Sequence, residues 1–198
     1  MAFLRKVGTF AGLFLVGDVA SQKIVQYKKT GQADTKVDTD KLKFTAGWAV
    51  LIGGPAIYKW YGYLDSDKGF KKSWVGARLY NFGPKSGTMR LPRGLLFGKI
   101  VADLLFDIPL YGSYLYAQKV YDNREAHPLT KTESYVKPFR EGYVSHFAKV
   151  YEKDVYFWTP ANFVNFFWVP ERFRILYVSL ATAGWSCLLP LLCRDGCH

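Results

Sequence analysis

The chain has 198 residues, enough for one domain with a substantial buried core and too few to call for a second. Hydrophobic residues make up 49% and the mean hydropathy is -0.05, values close to those of ordinary soluble proteins, so the placement of apolar residues rather than their total must decide the environment. A net charge of +11 allows nucleic acid, anionic lipid or an acidic protein as partner, but no nucleic-acid-binding module accompanies it, and that class is set aside.

Aromatic residues reach 18%, and rings with an apolar body and a polar edge favour the membrane-water boundary. Taken in chain order, the first element is predicted over residues 3–27. Arg5 and Lys6 before an apolar run superficially match a signal peptide, but the helical pattern continues through Gly17, Asp18 and Gln22, so the segment reads as a retained helix. Asp18 and Gln22 are spaced four apart, with Gly17 before them to permit close helix approach. The pair reads first as helix-helix glue and second as a pore lining.

Residues 44–64 form the next predicted span, carrying only Lys59, whose stem can reach the interface. Gly47, Gly53, Gly54 and Pro55 predict a kink and close backbone packing. The connection 65–94 is basic: Lys68, Lys71, Lys72, Arg78, Lys85, Arg90 and Arg93 face only Asp65 and Asp67. Such clusters attract anionic headgroups, cardiolipin for example, at roughly 1 kcal/mol per basic side chain.

The third predicted span, 95–121, carries Lys99, Asp103 and Asp107 at four-residue intervals, on one helix face. In a membrane bundle that face must turn inward, as the lining of a polar path or as an ion-pair network that fixes packing. A polar loop is predicted over 122–154. Residues 155–170 are uncharged and aromatic, with Pro160 and Pro170 bracketing an interfacial helix or a broken start to the fourth span. That span, 173–193, contains nineteen uncharged residues from Ile175 to Cys193. The fold class expected is therefore all-α, an integral membrane bundle of about four helices plus an interfacial aromatic segment. An even number of spans puts both termini beside the basic loop, on the matrix or cytosolic side by the positive-inside rule.

Chemistry is sparsely signalled. Cys187, Cys193 and Cys197 lack zinc-type spacing, and His127, His146 and His198 share no ligand spacing, so no metal, cofactor or catalytic residue is expected and the chain reads as non-enzymatic. The final Asp195-Gly196-Cys197-His198 matches no usual peroxisomal or ER-retention address.

Several of these residues, in order, resemble the signature of the Mpv-type family of peroxisomal and mitochondrial inner-membrane proteins. Gly17-Asp18 with Gln22 is similar to its Gly-Asp-x-x-x-Gln; Gly54-Pro55, Trp60-Tyr61 and Leu64-Asp65 to its second segment; Lys99, Asp103 and Pro109 to its third. Trp158, Asn165-Phe166, Val169-Pro170, Arg174 and Trp185 fall at the family's C-terminal spacing. Departures are Thr159 within the Trp-Pro pair, Asn162 and Leu104 in place of glutamines, a missing Trp/His-Pro segment near the N-terminus and a longer connection from Asp65 to Lys99. They bear on activity more than on fold.

The resemblance implies a four-helix, channel-like protein of the mitochondrial inner membrane or, alternatively, the peroxisomal membrane. The basic amphipathic N-terminus favours the mitochondrion. Two readings follow. A channel-like protein predicts a hydrated cavity among Asp18, Gln22, Lys99, Asp103 and Asp107. A structural accessory subunit of a larger membrane complex predicts dry packing and contacts through 65–98. A soluble nucleic-acid-binding protein would require Ile175–Cys193 to be a buried core helix.

Overall fold

The computed structural model describes residues 2–31, 36–66, 69–73, 76–77, 93–122, 124, 132, 135–137 and 143–192, and among them every regular element is helical. The first helix, α1 (Ala2–Thr30), carries Lys28 and Lys29 in its last turn, where they complement the helix dipole. It stops at Gly31, whose φ of 70° only glycine adopts cheaply and whose N–H closes on the Tyr27 carbonyl at 2.8 Å.

Asp38 caps the next helix, α2 (Thr39–Trp48), its carboxylate accepting from the backbone N–H of Asp40 and Lys41. A π-helical segment, Ala49–Gly53, joins α2 to α3 (Gly54–Asp65). The wide turn has a local cause: Pro55 lacks an N–H and its ring cannot sit against a regular preceding turn. Gly53 and Gly54 are required beside it, because a β-carbon would lie 2.3 Å from the Trp48 ring at the first and 2.9 Å from Ala49 O and Val7 Cγ1 at the second. Gly47, expected to share in close packing, has nothing within 4 Å.

A short 3-10 turn (Phe70–Lys72) follows, then α4 (Arg93–Asp122), α5 (Tyr143–Phe167), a second 3-10 turn (Glu171–Phe173) and α6 (Arg174–Leu192). Two expectations need revision. The aromatic stretch 155–170 is not a separate interfacial piece: it is the C-terminal half of α5, which begins at Tyr143 inside the predicted polar loop and continues through an exposed Pro160. Of the basic loop, Lys68, Arg78, Lys85 and Arg90 lie outside the described residues; Lys72 is exposed on the 3-10 turn. His127, Cys193, Cys197 and His198 also lie outside them.

Packing is most extensive between α1 and α6, with α4 against α5 next. Gly17 sets the first seam: a β-carbon there would come within 2.9 Å of Ala183 Cα and 3.0 Å of Ser186 Cβ. Two apolar clusters hold the bundle. One gathers Tyr61, Leu64, Leu95, Ile100, Trp158, Phe166, Ile175 and Val178 from α3 to α6; the other gathers Phe10, Phe14, Trp48 and Tyr114 from α1, α2 and α4. Phe14, Trp48 and Tyr114 meet ring to ring at 4.8 to 5.8 Å.

Among the described residues no helix is long and apolar enough to cross a membrane. Charge or a break accounts for three of the four predicted spans: α1 carries Asp18 and Lys23, α4 carries Lys99, Asp103 and Asp107, and the second is divided into helices of 10 and 12 residues; the fourth, α6, is uncharged from Ile175 to Leu192 and does not qualify either. Nevertheless, beside the apolar clusters, several charged and amide side chains are turned inward and several large apolar ones outward. Lys99, Asp103, Asp154, Asn162, Asn165 and Arg174 are buried, while Leu4, Val16, Leu51, Phe97 and Leu105 stand exposed.

The Gly17 seam makes a quantitative prediction. Gly17→Ala gains roughly 0.5–1 kcal/mol of helix propensity, but the overpacking against Ala183 costs about 1–3 kcal/mol, so the thermal midpoint of the purified protein falls. Gly8→Ala and Gly12→Ala, with nothing within 4 Å of either position, leave it unchanged or raise it.

Candidate functional site

The bundle interior contains two polar regions. The first is an ion-pair network where α3, α4, α5 and α6 meet. Asp65, at the end of α3, accepts from Lys99 Nζ of α4 at 3.2 Å and from Arg174 Nη1 of α6. Two other guanidinium nitrogens donate to backbone carbonyls, Nη2 to Phe166 at 3.4 Å and Nε to Val169 at 3.3 Å. Both cations also lie over the Phe166 ring, 5.6 and 5.4 Å from its centroid.

One helical turn further along α4, Asp103 is held by two donors of α3, Trp60 Nε1 at 2.7 Å and Tyr61 OH at 3.1 Å. Asn165 Nδ2 of α5 donates to the same tyrosine oxygen at 3.3 Å. Trp60 stacks on Phe106, with ring centroids 4.4 Å apart. Trp60, Lys99, Asp103, Asn165, Phe166 and Arg174, singled out from separate stretches of sequence, therefore form one connected cluster.

The second region is a cavity of about 500 Å³ between α1, α4, α5 and α6. Asp18, Gln22, Lys29, Asp38 and Lys41 line one part of it; Asp107, Tyr111, Asp154, Trp158 and Trp185 line another. Gln22 bridges the first part, donating to Asp18 Oδ2 at 3.0 Å and accepting from the Asp38 N–H at 2.8 Å, which ties α1 to the start of α2. Deeper in, Trp158 and Trp185 are each under a tenth exposed, and Asp154 is 2% exposed.

The charged stripe of α4 is thus divided. Lys99 and Asp103 are committed to the network, and only Asp107 reaches the cavity. Of the remaining candidates, Asp18, Gln22, Trp158 and Trp185 line the cavity, whereas Gly17 and Pro55 shape helix contacts and Pro109 lies inside α4. Pro170 follows α5 and opens the 3-10 turn before Arg174. Among the described residues no group of three metal-ligating side chains converges, and Cys187 is a half-buried free thiol.

Asp154 is the functional candidate that the sequence reading missed. It sits behind Glu152 and Lys153 in a charged stretch taken for a loop. The signal was present: Val150, Asp154, Trp158, Asn162 and Phe166 recur every four residues, and all five are buried on one face of α5.

The network predicts unequal costs for its members. Asp65→Ala leaves two buried cations without a counter-charge and destabilises the fold by about 3–5 kcal/mol. Lys99→Met leaves the Asp65–Arg174 pair intact and has a clearly smaller effect. Thermal denaturation of the two variants beside wild type measures the difference.

Comparison with known proteins bears on what this arrangement belongs to. The model of the Mpv17 / PMP22 family matches residues 136–190, the stretch that supplies α5, the second 3-10 turn and most of α6. Protein sym1 of Aspergillus oryzae is 24% identical over 185 residues, covering 93% of this chain and 86% of that protein. No solved structure matches. The C-terminal match and the relative aligned over nearly the whole chain together support membership of the Mpv17 / PMP22 family.

Proposed function

We propose that the chain is a non-enzymatic integral protein of the mitochondrial inner membrane, with the peroxisomal membrane as the alternative site, and that its bundle carries a channel-like path for small polar solutes. The observation that carries this reading is the roughly 500 Å³ cavity with Asp18, Gln22, Asp107 and Asp154 on its walls, inside a bundle that exposes many large apolar side chains. Water is the natural surrounding for such walls; hydrocarbon suits Leu51, Phe97 and Leu105 on the outside.

The inward placement of charge also accounts for the modest hydropathy of α1 and α4. Charged groups that lower the average of α1 and α4 point into protein or cavity, where they cost no lipid exposure. Membrane residence then belongs to the assembled bundle, because separately inserted helices would expose Asp103 or Asp107 to lipid. Lys72, exposed beside the bundle, and the neighbouring basic residues of the 65–94 connection suit contact with anionic headgroups such as cardiolipin.

Within this reading the Asp65 network acts as a plug. Lys99 and Asp103 are absent from the cavity wall because they are bonded to α3, so a conducting state would need that cluster to open. The same internally bonded cluster favours a second reading, a structural accessory subunit of a larger membrane complex. Tyr156 and Trp168, 74% and 61% exposed on and just after α5, would offer it an aromatic docking face.

Alkaline carbonate extraction of native membranes tests residence: the chain is expected in the pellet, and release to the supernatant would reject it. Flux of small solutes from liposomes containing the purified full-length chain tests the path. Asp107→Leu is expected to reduce that flux on the order of tenfold, the equivalent of ~1.4 kcal/mol. Absence of flux, with the native chain migrating in a large stoichiometric complex, would favour the accessory subunit instead.

A further inference from the structure

The deep part of the cavity has an unusual balance of groups. Four carboxylates face the whole cavity, those of Asp18, Asp38, Asp107 and Asp154, against two ammonium groups, Lys29 and Lys41. Both lysines lie near helix ends, Lys29 in the last turn of α1 and Lys41 in the first turn of α2. At the middle of α4 and α5, Asp107 and Asp154 face the cavity with no basic side chain beside them, and among the described residues neither makes an ion pair.

Among the described residues, two polar atoms there make no hydrogen bond. Asp154 Oδ2 is a buried acceptor and Trp185 Nε1 a buried donor, on side chains 2% and 3% exposed. Their neighbours are aromatic: Trp158 and Tyr111 share the wall, and Phe157 stacks behind Trp185 with centroids 5.1 Å apart. Leaving a buried donor and a buried acceptor unmade is costly, and so is leaving two carboxylates without a counter-charge. One ligand chemistry answers all of this at once. An ammonium group donates to Asp154 and offsets one of the two negative charges, its positive charge sits against aromatic faces, and an oxygen next to it accepts from the Trp185 N–H.

We propose that the deep end of the cavity, formed by Asp107, Asp154, Trp158, Trp185 and Tyr111, binds a small organic monocation with an ammonium group, an adjacent hydroxyl and an apolar or aromatic body. The site gives the polar path proposed above its solute class, and it rests on that reading for access from water. Anions are disfavoured, since a carboxylate or phosphate here would meet two carboxylates with Lys99 already committed to Asp65. A neutral diol fills the same space but leaves the carboxylates uncompensated.

A matched series tests this on the detergent-solubilised full-length chain: 2-amino-1-phenylethanol as the cation, 1-phenylethane-1,2-diol as the neutral analogue and mandelate as the anion. Binding is followed by isothermal titration calorimetry and by the fluorescence of the cavity tryptophans. The cation is expected to bind at least tenfold more tightly than the diol, with mandelate not binding. Asp154→Asn and Asp107→Asn should each erase the preference for the cation over the diol, and Trp185→Phe, which keeps a ring but removes the N–H, should weaken the cation several-fold. The ratio between probes is the readout because a loss of stability alone would weaken all of them together. Should Asp154→Asn fail to fold, the wild-type series and Asp107→Asn decide the matter.

Equal binding of all three probes, or no binding of the cation to folded protein, overturns the proposal. Liposome flux separates it from the path reading. Cation binding without flux leaves the site standing and removes the path, whereas flux without cation preference does the reverse.

Discussion

Asp65 is the point at which four helices depend on one another. It ends α3, and its carboxylate takes a hydrogen bond from Lys99 on α4 and another from Arg174 at the start of α6, while Arg174 reaches on to the carbonyl of Phe166 on α5. Two buried cations share one carboxylate, so the cluster is held by geometry as well as by charge: the guanidinium is satisfied only if α5 ends where it does, and the ammonium only if α4 presents Lys99 to the end of α3. Removing Asp65 leaves both cations buried without compensation. The cluster thus fixes relative helix positions more sharply than apolar contact alone, which tolerates sliding.

The cavity follows from this constraint. With one end of the bundle drawn together around Asp65 and Asp103, and Phe10, Phe14, Trp48 and Tyr114 packed elsewhere, the helices enclose a space that their own side chains do not fill. The residues facing it are mixed: carboxylates, an amide and tryptophans whose rings are apolar and whose N–H is polar. Such a lining is expensive to keep dry and empty, and it contrasts with the outer face of α4, where Phe97, Val101, Leu105 and Ile108 are exposed. Stability is concentrated on one side of Asp103 and vacancy on the other, within a single face of one helix.

Much of this was legible in the sequence. The all-helical class followed from apolar runs of helix length, and Gly17, Pro55, Trp60, Asp103, Asn165 and Arg174 stood out before any contact was known. What spacing alone did not supply was partnership. Lys99, Asp103 and Asp107 are equivalent on a helical wheel, yet the first two meet donors and acceptors from α3 while the third does not, a distinction that depends on where α3 ends. The helix α5 was obscured by local charge: Glu152, Lys153 and Asp154 lower the polarity contrast that marks a loop boundary, although the four-residue recurrence of buried positions runs straight through them. Pro160 misled for a related reason, since a proline whose surroundings are exposed can be carried by a long helix that other packing holds in place.

The seam at Gly17 has a consequence for how the molecule is made. Helix α1 is synthesised first among these elements, but its most extensive partner is α6, which emerges only after the whole intervening chain. Contacts between such distant segments form late and slowly, because the chain must close a long loop before they reward it. During synthesis α1 therefore waits with its Gly17 face uncovered, and truncated chains lacking α6 expose that same face permanently.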